Sequence, residues 1–256
     1  MNRILFGLLC LATVSVATAQ GVYSARGANF YVQTRDWDAL FQYSSRWTEQ
    51  QPHDARGWYY LGTAYVGGLQ QPSNAIAPLQ RATQLKGDWD SAWSALGAAY
   101  LQAQRYEDAS HAFEQAVKLA PASPNNWISL ASAYASFHEM ARAEQALDAG
   151  QVQASKWASN ADWYAFGNGY ADVGCYGKAA AAYRHALDLD ERVSEAWNNL
   201  GVAEERLGHK ADALVHYQRA AALGDELGES NALRLQSPPT QVRSAQAHAA
   251  QRTPAG

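Results

Sequence analysis

The chain has 256 residues, 48% of them hydrophobic and 17% charged, the composition of a globular protein that is not highly charged. Its formal net charge of -4 comes without a basic stripe that could follow a phosphate backbone, which argues against nucleic acid as a partner. The length suits one array of small units with a leader and a tail, and leaves no separate domain for an enzyme.

In chain order the first segment is a leader. Asn2 and Arg3 make a short basic start, Ile4 to Val16 an apolar run, and Ala17, Thr18 and Ala19 a small-residue cleavage site before Gln20, so residues 1–19 read as a secretory signal peptide. The run is shorter than the roughly 20 residues that a spanning helix needs, and the mature form is expected not to cross a membrane. Leu8 and Leu9 stand before Cys10 where lipid attachment wants small residues, which argues against a lipoprotein. Without the leader, Cys175 is the one thiol left, so no internal disulfide is expected.

Residues 20–54 predict a degenerate helix pair, with Ala28 and Tyr31 on its first helix and Leu40 and Trp47 on its second, ended by Pro52. Then Trp58, Trp93, Trp127, Trp163 and Trp197 recur at spacings of 35, 34, 36 and 34 residues, dividing 55–227 into five units, about 55–89, 90–123, 124–159, 160–193 and 194–227. In the second unit Trp93, Leu96 and Tyr100 fall at i, i+3 and i+7, and Ala109, Phe113 and Ala116 at i, i+4 and i+7, which predicts two amphipathic helices. Gly97 and Ala109 are the expected points of close approach between them, and Pro121 breaks the chain before the next unit. The other units keep this pattern with departures. Gly150 and Ser155 replace Ala and Pro in the third, and Glu204 replaces the aromatic residue in the fifth. Trp127 and Trp163 are expected to be buried between neighbouring hairpins. From Asp225 to Gln236 a final short helix, with 228–236 as its capping segment, is expected to close the end through Leu227, Leu233 and Leu235; residues 237–256 are poor in large apolar side chains and read as a disordered tail.

The pattern Trp93, Leu96, Gly97, Tyr100, Ala109, Phe113, Ala116, Pro121 resembles the tetratricopeptide (TPR) repeat at every landmark. The resemblance implies an all-α fold, a right-handed superhelical solenoid of antiparallel helix hairpins, which acts by holding a protein or peptide partner. It also implies which residues line the inner face: those two before, one after, five after and eight after each Trp. The candidates that follow are Arg56, Tyr59, Thr63, Ser94, Asn125, Ile128, Tyr164, Asn168 and Asn198, with Tyr59, Ile128 and Tyr164 as anchors and the asparagines facing amides of the partner. Of the twenty positions so defined only Arg56, Glu195 and Glu205 are charged, which does not support the Lys/Arg/Asn carboxylate clamp used by some members.

Other chemistry is thin. His209 and His216 are a weak zinc pattern, Cys175 has no basic neighbour in the sequence, and no phosphate loop or nucleophile elbow is present, so no catalytic residue, metal or cofactor is expected. The resemblance and the leader together imply a periplasmic TPR adaptor that binds a protein partner and catalyses nothing. The alternative is an accessory structural subunit of an envelope assembly or secretion machine for polysaccharide, pilus or outer-membrane biogenesis.

Overall fold

The computed structural model describes residues 23–154, 156 and 158–237. The leader, the first residues of the degenerate unit, Ser155 and the tail from 238 lie outside the described residues.

The described residues form helices alone, and they fall into two compact units divided after Leu119. The first holds α1 (Ala25–Thr34), α2 (Trp37–Gln50), α3 (Ala55–Gly67), α4 (Pro72–Leu85), α5 (Asp90–Gln102) and α6 (Tyr106–Leu119). The second holds α7 (Pro124–Ser136), α8 (Met140–Ala154), α9 (Asn160–Asp172), α10 (Tyr176–Leu189), α11 (Ser194–Arg206), α12 (Lys210–Ala222) and α13 (Glu226–Gln236). Sequence-local signals set many of these bounds. Ser24, Asp36, Asp54 and Asp225 accept backbone N–H bonds as N-caps, Pro72 and Pro124 open their helices, and Ser159 with Asp162 makes a capping box at α9.

Within each unit consecutive helices pack as hairpins, and the first helix of one hairpin also touches the first helix of the next: α3 with α5, and α7, α9, α11 and α13 in succession. This is the expected all-α TPR solenoid architecture. Glycine makes the hairpins possible. A Cβ added to Gly62, Gly97, Gly167 or Gly201 would stand 2.4, 2.8, 2.4 and 2.7 Å from Leu79, Phe113, Tyr183 and Tyr217 respectively, the buried residues of the partner helix. The turn between the two helices needs a left-handed residue, which Gly174 and Gly208 supply freely and Gln104 and His138 adopt against their preference.

In the first unit Trp47 is fully buried among Ala28, Leu40, Tyr60 and Ala64, so the divergent first hairpin joins the same core. The recurrent tryptophans behave differently from the expectation. Trp127 and Trp163 are only half-buried, as are Trp58, Trp93 and Trp197. Their indole N–H groups explain why: those of Trp58, Trp93, Trp127 and Trp197 donate to the carbonyls of Pro52, Gly87, Pro121 and Glu191, six residues upstream, at 2.8–2.9 Å. Each of these four rings therefore covers the edge of its hairpin and ties the preceding loop to it, and its polar edge keeps it out of the centre.

The closing helix also differs from the reading by leucines. Leu227 and Leu233 are 67% and 59% exposed, whereas Gly228 and Ala232 are buried and Leu235 packs partly against Ala213, Tyr217 and Ala232. The inward stripe is Gly228, Ala232 and Leu235 at i, i+4 and i+7, because the absent side chain of Gly228 lets α13 approach α12 closely enough that its Cβ would meet Ala220 at 2.6 Å.

Candidate interaction site

In the first unit the sequence candidates sit on α3 and α5. Asp54 caps α3 and grips Arg56, whose Nε and Nη2 donate to its two oxygens at 3.0 and 2.7 Å, while the guanidinium lies 5.5 Å from the centre of Trp47. The hydrogen bond from Arg56 holds the Asp54 carboxyl below the usual carboxylate range, and the same bond raises Arg56. Tyr59 packs its ring 4.7 Å from Trp89, and this burial pushes its hydroxyl pKa up. Thr63 donates back to the Tyr59 carbonyl at 2.9 Å, so its hydroxyl is occupied within the helix. Ser94 is half-buried. A cleft of about 490 Å³ in this unit lies elsewhere, between α4, α5 and α6, with Gln80, Gln84, Trp93, Asp108, His111 and Gln115 in its walls. Sequence reasoning had no rule for it, since it is bounded by second helices.

In the second unit Asn125 is exposed and Ile128 half-buried on α7. Tyr164, Asn168 and Asn198 are brought together through a residue the sequence reading passed over, Asn199. Its Nδ2 donates to Tyr164 Oη and to Asn168 Oδ1, both at 3.1 Å, and Asn168 Oδ1 also accepts from Tyr183 Oη at 2.8 Å. Asn198 is a correction. It is 7% exposed, donates to Asn199 Oδ1 at 3.2 Å and accepts from Asn231 at 2.9 Å, so its amide ties α11 to α13 rather than facing a ligand. Beside this network Asn168, Ala171, Tyr176, Asn199 and Val202 line a cleft of about 200 Å³.

A second polar pattern recurs in the second, third and fourth repeats. There the residue seven after the Trp is Tyr100, Tyr134 or Tyr170, and a cation from the following turn or helix lies over each ring: Arg105 at 4.6 Å, Arg142 at 4.2 Å and Lys178 at 5.7 Å from the ring centre. The preceding hairpin supplies a partner for the hydroxyl, Gln80 for Tyr100 at 2.7 Å and Asp148 for Tyr170 at 2.9 Å. Burial, then Asp148, raises the pKa of Tyr170. In the last repeat the tyrosine is replaced by Glu204, which is 2% exposed and pairs with Arg184 from the preceding hairpin and, at 2.7 Å, with His209 Nδ1.

The remaining titratable groups resolve simply. Cys175 does have a lysine nearby, Lys178, but burial and then the Glu144 carboxylate outweigh it and hold the thiol pKa above its ordinary value. His216 does not join His209; its ring lies 5.6 Å from Trp197, its Nδ1 is buried without a hydrogen-bond partner, and burial lowers its pKa.

Comparison with known proteins agrees with this architecture. Residues 90–123 and 164–227 match two family profiles, both described as Tetratricopeptide repeat. No curated protein sequence matches significantly. Among solved structures, YrrB, a TPR protein with an unusual peptide-binding site, aligns at a TM-score of 0.54 and 17% identity over 73% of this chain and 96% of its own. The Cut9–Hcn1 hetero-tetramer of the APC/C aligns at 0.60 and 15% identity over 82% and 42%. MamA from Desulfovibrio magneticus RS-1 aligns at 0.53 and 19% identity over 66% and 94%. At such identities the likeness concerns the fold. With the hairpin geometry and the matched segments together, the chain carries tetratricopeptide repeats.

Proposed function

We propose that this protein is an exported TPR scaffold that binds an extended segment of a protein partner through its first-helix face and catalyses no reaction. The observation that carries the reading is the cleft beside Asn168 and Asn199. Three positions of the inner-face rule, Asn168, Ala171 and Val202, line it, and its volume of about 200 Å³ is below the roughly 300–1,000 Å³ of small-molecule sites. That is room for a side chain or two of a peptide, with amide and tyrosine groups at hand to orient a backbone. Export rests on the leader-like residues 1–19. Among the described residues no helix is long and apolar enough to cross a membrane.

The test is capture of partners from a periplasmic extract by the tagged chain and by two variants, each checked for unchanged helicity. Ala171→Arg fills the second-unit cleft and is expected to abolish capture. Gln115→Arg, on the second-helix cleft of the first unit, is expected to leave it intact. Capture that survives Ala171→Arg overturns the first-helix reading, and its loss in Gln115→Arg alone assigns binding to the other face.

A further inference from the structure

The fifth repeat departs from the others at one place. In the three repeats before it, the tyrosine seven after the Trp is accompanied by residues twelve and fifteen after the Trp, and each such pair contains a fixed cation: Arg105 with Asp108, Glu139 with Arg142, Cys175 with Lys178. In the fifth repeat these three positions are Glu204, His209 and Asp212, two carboxylates and an imidazole without a lysine or arginine. Their ligand-type atoms all lie within 4.8 Å of one another. We propose that Glu204, His209 and Asp212 bind a divalent first-row transition-metal ion of the zinc type at the junction of α11 and α12.

The donor set suits such an ion, since imidazole nitrogen with carboxylate oxygens is a borderline set that prefers zinc and its neighbours to magnesium or calcium. The geometry is within reach. Ligand bonds of about 2.0–2.2 Å in a tetrahedral site put neighbouring donors roughly 3.3 Å apart. The Glu204–His209 pair, now at 2.7 Å, has to open by a few tenths of an ångström, and Asp212, exposed at the start of α12 and already within 4.8 Å of both, has at most about 1.5 Å to close. Glu204 is fixed for the role. Arg184 holds Oε1 and leaves Oε2 to His209, the outer support that ligating carboxylates usually have. His209 and Asp212 are exposed, so the fourth position opens to water. The ion would join α11 to α12, at the place where Arg105, Arg142 and Lys178 meet the tyrosine of the preceding repeats.

The test is calorimetric titration of the full chain with zinc chloride at neutral pH after removal of trace metal by a chelator. Wild-type chain is expected to bind one zinc at a site whose affinity falls on the order of 100-fold in both His209→Ala and Asp212→Asn. Asp212 is on the surface, and Glu204 keeps Arg184 when His209 is removed, so both variants are expected to fold; circular dichroism and a urea melt check this, and Asp212→Asn, which leaves the Glu204–His209 bond in place, carries the test if His209→Ala is destabilised. His111→Ala, with its imidazole in the other unit, is expected to bind like wild type. Cobalt(II) provides a second readout: a visible absorption band in wild type that is absent from His209→Ala. Equal zinc binding by wild type and the two ligand variants, or no binding by wild type, overturns the proposal and leaves His209 as a hydrogen-bond partner of Glu204.

Discussion

Gly167→Ala tests the packing rule of the hairpins most sharply. Gly167 is buried inside α9, and a Cβ there would lie 2.4 Å from Tyr183 Cε1 and 2.5 Å from Cδ1. The ring has little room to retreat, because Tyr183 is 2% exposed and its hydroxyl is held by Asn168 at 2.8 Å. Overpacking of this kind costs about 1–3 kcal/mol, while replacing a helix-interior glycine by alanine returns about 0.5–1 kcal/mol. The net expectation is a loss of about 1–2 kcal/mol. Gly177→Ala is the matched control, since nothing lies within 4 Å of a Cβ at that position near the start of α10. It is expected to be neutral or to stabilise by a few tenths of a kcal/mol. Urea unfolding followed by circular dichroism distinguishes the two. If Gly167→Ala were as stable as the parent, the close approach of α9 and α10 would not be what the glycine is for.

Three further outcomes are expected. Trp47→Ala removes a fully buried ring and should cost about 3–5 kcal/mol in urea melts, whereas Trp93→Phe, which chiefly removes the bond to the Gly87 carbonyl, should cost about 1 kcal/mol; the reverse order would refute the distinction between core and edge tryptophans. Asp54 has its pKa depressed in the fold by Arg56, so its contribution is present above the unfolded value of about 3.9 and is lost as pH falls through the folded value. Asp54→Asn should therefore flatten the acid limb of a stability–pH profile, and an unchanged limb would remove the pair from the account. If residues 1–19 are a cleaved leader, intact-mass measurement of the exported protein should find a chain beginning at Gln20; a mass that retains the leader or carries acyl chains would rule out that processing.

Much of the fold was legible because the signals that set it are local and periodic. Gly97 is an expected point of close approach from its missing side chain alone; the structure sets the Phe113 ring against it and repeats the arrangement at Gly62, Gly167 and Gly201. The tryptophans were legible in place but not in depth. Spacing puts an indole on the apolar stripe, yet it does not say that its N–H will take the carbonyl six residues back and hold the ring at the edge. At α13 the leucines outweighed Gly228 and Ala232 in the sequence because a close approach is signalled by what is missing from a side chain. The inner-face rule failed at Asn198 for a related reason: adjacent positions on a helix differ by about 100°, so Asn199 meets α9 while Asn198 is covered by α13, a helix that the rule did not take into account.

The junctions between hairpins explain why the chemistry was the least legible part. A tyrosine, a cation and a hydrogen-bond partner meet there, but they come from three helices, and no window of sequence contains the set. The separation does recur: Gln80 and Tyr100 are twenty residues apart, and so are Arg184 and Glu204. In the first case the pair is neutral. In the second it is charged, and a carboxylate only 2% exposed needs partners on both oxygens to offset a desolvation cost of several kcal/mol. Arg184 and His209 provide them. Of the two positions that carry the cation in the earlier repeats, one is His209 here and supplies the bond to the second oxygen, whereas the other, Asp212, adds a carboxylate that this requirement does not explain. A departure from the repeat at one position thus points to a changed neighbourhood at several, and the fifth repeat is where the array's scaffold chemistry and any chemistry beyond it separate.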